Sequence, residues 1–168
     1  PALARGEGDS VHFEYDDGNF DYAVGVSNDG VGSQAVYLNY FTPTAEQLPV
    51  TVDQVAIYFP PGDAFGPTGL FRGMSMEVLV YVDPEGTGDP ADAELVVRKA
   101  FDCNPSLTTY QVIGFDGVEV RTGSFWIGFT DVYTGVFEEA IRPAALDLTN
   151  NAGNSWAFHN LGVADHFA

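Results

Sequence analysis

The chain has 168 residues, of which 6 are Lys or Arg and 24 are Asp or Glu, so its formal net charge is −18. This length predicts a single domain, and a hydrophobic share of 45% is enough for a packed core. So few cations cannot neutralise a run of phosphates, which excludes a general nucleic-acid binder. An anionic lipid surface repels such a chain, and no apolar run is long enough for a membrane-spanning helix. Cys103 is the only cysteine, so we expect a buried thiol and no disulfide within the chain.

Strand patterns recur along the chain, whereas helical periodicity is nearly absent. Polar and apolar alternation predicts strands over 11–15, 35–41, 50–59, 74–82, 95–101, 109–115, 118–121, 124–132 and 155–159. A weak helical pattern covers 137–141 and is closed off by a proline. Glycine and proline turns separate the strands, and no segment is long enough for a crossover helix. We therefore expect an all-β, antiparallel β-sandwich of jelly-roll type over residues 11–168, preceded by a tail or linker over residues 1–10.

Apolar and polar residues alternate most clearly in two of the predicted strands. In 74–82 the methionines and valines share one face, and in 124–132 Phe125, Ile127 and Phe129 share one face. We expect both of these faces to line the core. Trp126 then lies on the opposite face, which is either exposed to solvent or covered by a partner.

Five short motifs follow one another in an order typical of one class of domain. They are YDDG at 15–18, FTP at 41–43, the strand at 52–58, VYVDPEGTGDP at 80–90 and FWIG at 125–128. In this order they resemble the β-sandwich accessory domains of bacterial secreted and cell-surface proteins. The resemblance implies a jelly-roll-like fold, secretion, and a non-catalytic role in adhesion, targeting or carbohydrate contact. It implies no catalytic residues.

The Gly-rich loop after the 74–82 strand is a candidate calcium site. Ca²⁺ takes about six to eight oxygen ligands, and alternate positions of a tight loop can converge on one ion. The candidate ligands in this loop are Asp83, Glu85, Thr87, Asp89 and Asp92. Asp16 and Asp17 would add ligands near the first predicted strand. The alternative is that these acids are solvated and serve turn geometry.

Aromatic residues indicate a second kind of contact, because sugar rings stack on exposed tryptophan and tyrosine faces. The candidate ligand or partner contacts are Trp126, Trp156, Phe65 and Phe71. The two phenylalanines lie in the Gly/Pro-rich loop 60–73, which either packs back on the sandwich or meets another protomer. The alternative for the other aromatics is a place in the core or in cross-strand pairs.

Three hypotheses for function follow. The first is a secreted, extracellular or cell-surface binding or adhesion module, non-enzymatic and stabilised by Ca²⁺ if the acidic loop binds it, with carbohydrate or a surface polymer as ligand. The second is a structural subunit that assembles with copies of itself into a filament, shell or decoration layer, with residues 1–10 adding to a neighbour's sheet edge. The third is a hydrolase that uses a carboxylate pair such as Asp53 and Glu77 across one groove.

Overall fold

The structure is a computed structural model, which describes residues 11–14, 20, 22–25, 27–28, 31–32, 35–62, 70, 72–89, 92–106, 108–131, 143–146 and 154–159. Within these residues the chain is all-β and antiparallel, as the sequence predicts. The predicted tail over 1–10 and the helical pattern at 137–141 lie outside them. In the described part of the chain, no helix is long and apolar enough to cross a membrane.

The strands follow the sequence pattern closely where they are long. In chain order they are β1 (Tyr22–Val24), β2 (Ser27–Asn28), β3 (Val31–Gly32), β4 (Ala35–Phe41), β5 (Val50–Ile57), β6 (Ser75–Asp83), β7 (Glu94–Asp102), β8 (Gln111–Val120), β9 (Ser124–Asp131), β10 (Ala144–Leu146) and β11 (Ser155–His159). The bounds of β4 and β11 are those predicted, and those of β5, β6, β7 and β9 differ by one or two residues. β8 is one strand where the sequence predicts two.

Two antiparallel sheets share one core. The larger sheet has the order β11-β4-β9-β6-β7, and β5 pairs with β8 in the second sheet. Val80 of β6 and Ile127 of β9 pack with Val50 of β5 and Ile113 of β8 in a single buried cluster. This face-to-face packing is that of a β-sandwich. The jelly-roll order of its connections stays a prediction.

Residues 11–14 do not form the predicted first strand. Their burial nevertheless alternates, with Phe13 half-buried between two exposed neighbours. The Phe13 ring packs edge-on against Phe41 and Phe125, with centroids 5.8 and 5.3 Å apart. The alternation therefore anchors this segment to the core through a single side chain.

The central strand β9 is buried on both faces. Ile127 and its alternate neighbours face the sandwich core. On the other face Trp126 packs with Leu38, Leu79 and Tyr81. The sheet therefore has a second apolar cluster, which is buried within this one chain.

Gly128 lies in the middle of β9, opposite Leu38 of β4 and Leu79 of β6. A Cβ at this position would overlap the carbonyl oxygen of Tyr37 and lie 2.9 Å from the Cα of Leu38. The close approach of the β4 backbone, and not an unusual dihedral angle, is what requires glycine here.

We predict that Gly128→Ala lowers the free energy of unfolding by about 3 kcal/mol or more, because the β4 backbone must move away from β9. Gly114→Ala is the matched control, since a Cβ there would lie 3.9 Å from the Asp53 carbonyl oxygen, an ordinary contact. This control should be neutral or slightly stabilising, because alanine loses less backbone entropy on folding. Urea unfolding followed by tryptophan fluorescence measures both, and equal stability of the two variants would contradict the close packing of β4 on β9.

Candidate functional site

One buried carboxylate organises the loop after β6. Asp83 is 0% exposed. Its Oδ1 accepts hydrogen bonds from the N–H groups of Gly86 at 2.9 Å and Thr87 at 3.3 Å. Its Oδ2 accepts from the N–H of Gly88 and the hydroxyl of Tyr40, both at 2.9 Å. Four donors on two oxygens thus close the loop around the carboxylate.

The other predicted calcium ligands of this loop are exposed: Glu85, Thr87, Asp89 and Asp92. The Thr87 hydroxyl donates to Asp92 Oδ2 at 3.4 Å and accepts from the Asp89 N–H at 3.1 Å. Among the residues that the structure describes, no three His, Cys, Asp or Glu side chains are grouped so that they could hold a metal ion. Calcium binding here stays a prediction, and Asp83 would have to exchange hydrogen bonds within the loop for the ion.

One of the predicted aromatic contacts, Trp126, is not on the surface. Trp126 is 0% exposed, and its ring centroid lies 4.5 Å from that of Tyr40. No sugar ring can stack on it in this structure, which corrects the expectation that its face is open to solvent or to a partner. Trp156 lies in β11, where its backbone pairs with Leu38. Outside the described residues lie Phe65, Phe71, Asp16 and Asp17.

The predicted carboxylate pair does not face one groove. Asp53 is exposed on the outer side of β5. Glu77 lies on the face of β6 that also carries Leu79, opposite to the sandwich core, and its Oε2 is 3.7 Å from Nε of Arg98. The two carboxylates therefore point away from opposite outer faces of the sandwich.

An exposed aromatic surface lies where β5 ends and β8 begins. Tyr58 follows β5, and Tyr110, which is 39% exposed, precedes β8. Because Ile57 pairs with Gln111, the two tyrosines stand opposite each other one step beyond the ladder, with ring centroids 6.0 Å apart. Phe20 stacks flat on Tyr58, with 4.5 Å between centroids and 5° between planes.

The outer face of the β5–β8 pair continues this surface. Ala56 and Val112 are cross-strand partners and both are exposed, Val112 by 61%. Together with Phe20, Tyr58 and Tyr110 they form a surface that we call the tyrosine face. None of its five side chains carries a charge.

The β7–β8 connection is held to the start of β8 by the side chain of Gln111. Its Oε1 accepts from the N–H of Asn104 at 2.8 Å, and its Nε2 donates to the carbonyl of Asp102 at 2.8 Å. Both hydrogen-bonding ends of the amide are thus used on the connection that leads into Tyr110. Gln111 fixes where this tyrosine enters the sheet.

Hydroxyl groups of the same connection lie beside Tyr110. Ser106 donates its N–H to the carbonyl of Phe59 at 3.2 Å, which ties the connection to the end of β5. Its Oγ accepts from the Thr109 hydroxyl at 2.8 Å and from the Thr108 N–H at 3.3 Å. Asn104, Ser106, Thr108 and Thr109 form what we call the polar rim, in which all but Ser106 are exposed.

The tyrosine face is absent from the residues that the sequence singles out. Tyr58 and Tyr110 fall inside the predicted strands 50–59 and 109–115, where an aromatic residue is ordinary. The sequence signal that could have indicated this surface is the stretch SLTTY at 106–110, in which hydroxyl-bearing residues directly precede an aromatic residue.

A second buried acid, Asp131, ends β9. Its Oδ1 accepts from the N–H of Ala35 at 2.8 Å. Burial raises the pKa of Asp131 to about 6, against the opposing effect of hydrogen bonds from backbone N–H groups. The predicted buried thiol is confirmed, and burial raises the pKa of Cys103 to about 12. A thiol of this kind is unreactive in the folded chain.

Comparisons with known proteins identify no relative of this chain. No family model, no curated protein and no solved structure matches the chain. The resemblance to secreted β-sandwich accessory domains stays a prediction.

We predict that Asp83→Ala lowers the free energy of unfolding by about 3 kcal/mol, because three N–H groups of the loop and the Tyr40 hydroxyl lose their shared acceptor. Tyr40→Phe removes one of the four donors and should cost about 1 kcal/mol. Glu85→Ala removes an exposed acid from the same loop and should change stability by less than about 0.5 kcal/mol. Urea titration measures the free energy of unfolding of the three variants. If the Asp83→Ala protein were as stable as the Glu85→Ala protein, Asp83 would not organise the loop.

Asp131 should make stability depend on pH. Its pKa is higher in the folded chain than in the unfolded one, so its contribution to stability is greatest below about pH 4 and is lost as pH rises through about 6. Asp131→Asn keeps an acceptor for the Ala35 N–H and avoids the buried charge. Relative to wild type, it should gain roughly 2–3 kcal/mol at pH 7.5 and little at pH 4.

Thermal or urea unfolding at several pH values measures this difference. Asp116→Asn, which removes an exposed acid of β8, is the control for the loss of one negative charge. A gain for Asp131→Asn that is the same at pH 4 and pH 7.5 would contradict the raised pKa of Asp131.

Proposed function

We propose that the chain is a non-enzymatic binding module of the secreted or cell-surface kind, and that its ligand is a carbohydrate held at the tyrosine face. The observation that carries the proposal is Tyr110. This residue is 39% exposed, and its ring centroid lies 6.2 Å from that of Phe20 and 6.0 Å from that of Tyr58. The hydroxyl groups of the polar rim stand beside it in the chain.

A sugar offers the two kinds of group that this arrangement complements. The C–H face of a sugar ring is apolar and stacks on an aromatic ring, and its hydroxyl groups bond to hydroxyl and amide groups nearby. The Tyr110 ring packs against the rings of Phe20 and Tyr58, so little side-chain entropy is lost on binding. Val112, two residues further along the same face of β8, extends the contact along the strand.

The rival hypothesis is a self-assembling subunit in which a second protomer covers the same face. A formal charge of −18 on each protomer opposes such contacts. The two hypotheses differ in a simple observable. A carbohydrate-binding module stays monomeric in light scattering at high protein concentration, whereas a subunit grows into larger species.

We predict that Tyr110→Ala weakens binding to the best ligand of a glycan array by at least about tenfold, because the stacking surface is lost. Val96→Ala is the matched control, since Val96 is 40% exposed on β7 outside the tyrosine face. Binding of this control should stay within about twofold of wild type. The melting temperatures of both variants should stay close to that of wild type, because both side chains are exposed.

Two results of the glycan-binding assay would contradict the proposal. A protein that binds no glycan, or binds one equally well with Tyr110→Ala, is not a carbohydrate module of this kind. The assay is run in Ca²⁺ and in EDTA, because loop 83–92 is the proposed calcium site. Equal glycan binding in both conditions would show that the ligand site does not require Ca²⁺.

A further inference from the structure

From the charges around the tyrosine face we infer that its ligand is an uncharged polysaccharide, and that acidic polysaccharides are excluded. This inference rests on the proposed function and names the class of ligand within it. Its first observation is the lining: neither the tyrosine face nor the polar rim contains a charged side chain, so these described residues offer no cation to a carboxylate or a sulfate group.

The sequence around Tyr110 carries negative charge and no positive charge. Asp102 is the last residue of β7 and is exposed, and the polar rim begins two residues later at Asn104. From Asp102 to Val112 the sequence contains no Lys, Arg or His. The chain that leads into Tyr110 therefore supplies no cation that could bind a uronate.

Two described cations lie near the β5–β8 pair: Lys99, and Arg121, which follows β8 and pairs with Glu119. Lys99 donates from Nζ to the carbonyl of Gly114 at 2.6 Å. Gly114 is four residues along β8 from Tyr110, about 13 Å at the rise of a strand. Arg121 is eleven residues along the chain from Tyr110, beyond the other end of β8. Both positive charges are thus distant from Tyr110 along the strand.

The overall charge acts in the same direction. A net charge of −18 repels a polyanion before it makes contact and lowers its rate of association. The same charge attracts a polycation over the whole surface, but that attraction falls with added salt and does not depend on one tyrosine. Binding that depends on Tyr110 and resists salt is therefore expected for an uncharged chain alone.

The experiment measures binding of immobilised polysaccharides to the wild-type chain and to Tyr110→Ala, at low and at high NaCl. The uncharged probes are mannan, β-glucan and galactan, the acidic probes are alginate and polygalacturonate, and the cationic probe is chitosan. We expect at least one uncharged probe to bind, with a loss of about tenfold or more in Tyr110→Ala and less than a twofold change with salt. The acidic probes should bind at least about tenfold more weakly at low salt.

The outcomes separate the inference from the proposed function. Binding to alginate or polygalacturonate that depends on Tyr110 and is as tight as that of any uncharged probe overturns the inference and leaves the carbohydrate module standing. Chitosan as the sole probe with Tyr110-dependent binding also overturns it. If no probe binds in a Tyr110-dependent way, the proposed function itself fails.

A single added cation tests the electrostatic argument directly. Thr108→Lys puts a positive charge on the polar rim and should raise affinity for polygalacturonate at least about threefold relative to wild type at low salt. Thr122→Lys adds the same charge beyond the other end of β8, about 33 Å away along the strand, and should leave that affinity unchanged. Equal effects of the two variants would mean that net charge alone governs binding, and would overturn the local argument.

Discussion

The burial of β9 on both faces is the constraint on which the rest of the sandwich depends. Its backbone bonds to β4 on one side and β6 on the other. Phe125 and its alternate neighbours fill the core between the sheets, and Trp126 fills the opposite face. Gly128 is required because β4 approaches too closely for any side chain. A strand enclosed in this way presents no surface of its own, and the tyrosine face lies on the second sheet, at β5 and β8.

The two acids at strand ends show how the chain accommodates buried charge despite its large acidic surplus. Asp83 ends β6 and accepts hydrogen bonds from four described donors, so its loop is built around it. Asp131 ends β9 and accepts from the N–H of Ala35, and burial raises its pKa. The two carboxylates differ in the hydrogen bonds that replace the lost water. Asp83 accepts from three N–H groups of its own loop and from Tyr40, whereas for Asp131 the effect of burial on the pKa exceeds that of its backbone N–H donors.

The long strands could be predicted because each has one face in the core, which imposes a period of two on the sequence. β4 and β9 were predicted nearly to the residue for this reason. The short pairs β1–β10 and β2–β3 were not predicted, since two or three residues carry no period. Alternation also predicted which face Trp126 occupies, but not that this face is buried. A pattern tells which residues share a face, whereas what covers the face is decided by distant parts of the chain.

The tyrosine face could not be predicted because it depends on an irregularity in the β5–β8 ladder. The register shifts between Val52 and Gln54. On the Val52 side of the shift, even-numbered residues of both strands face the core, and on the other side odd-numbered residues such as Ile57 do. A strict period of two continued from Val52 would point Tyr58 into the core, and the same holds for Tyr110 in β8. Because a change of one residue moves every side chain to the other face, the shift is what brings both tyrosines to the surface.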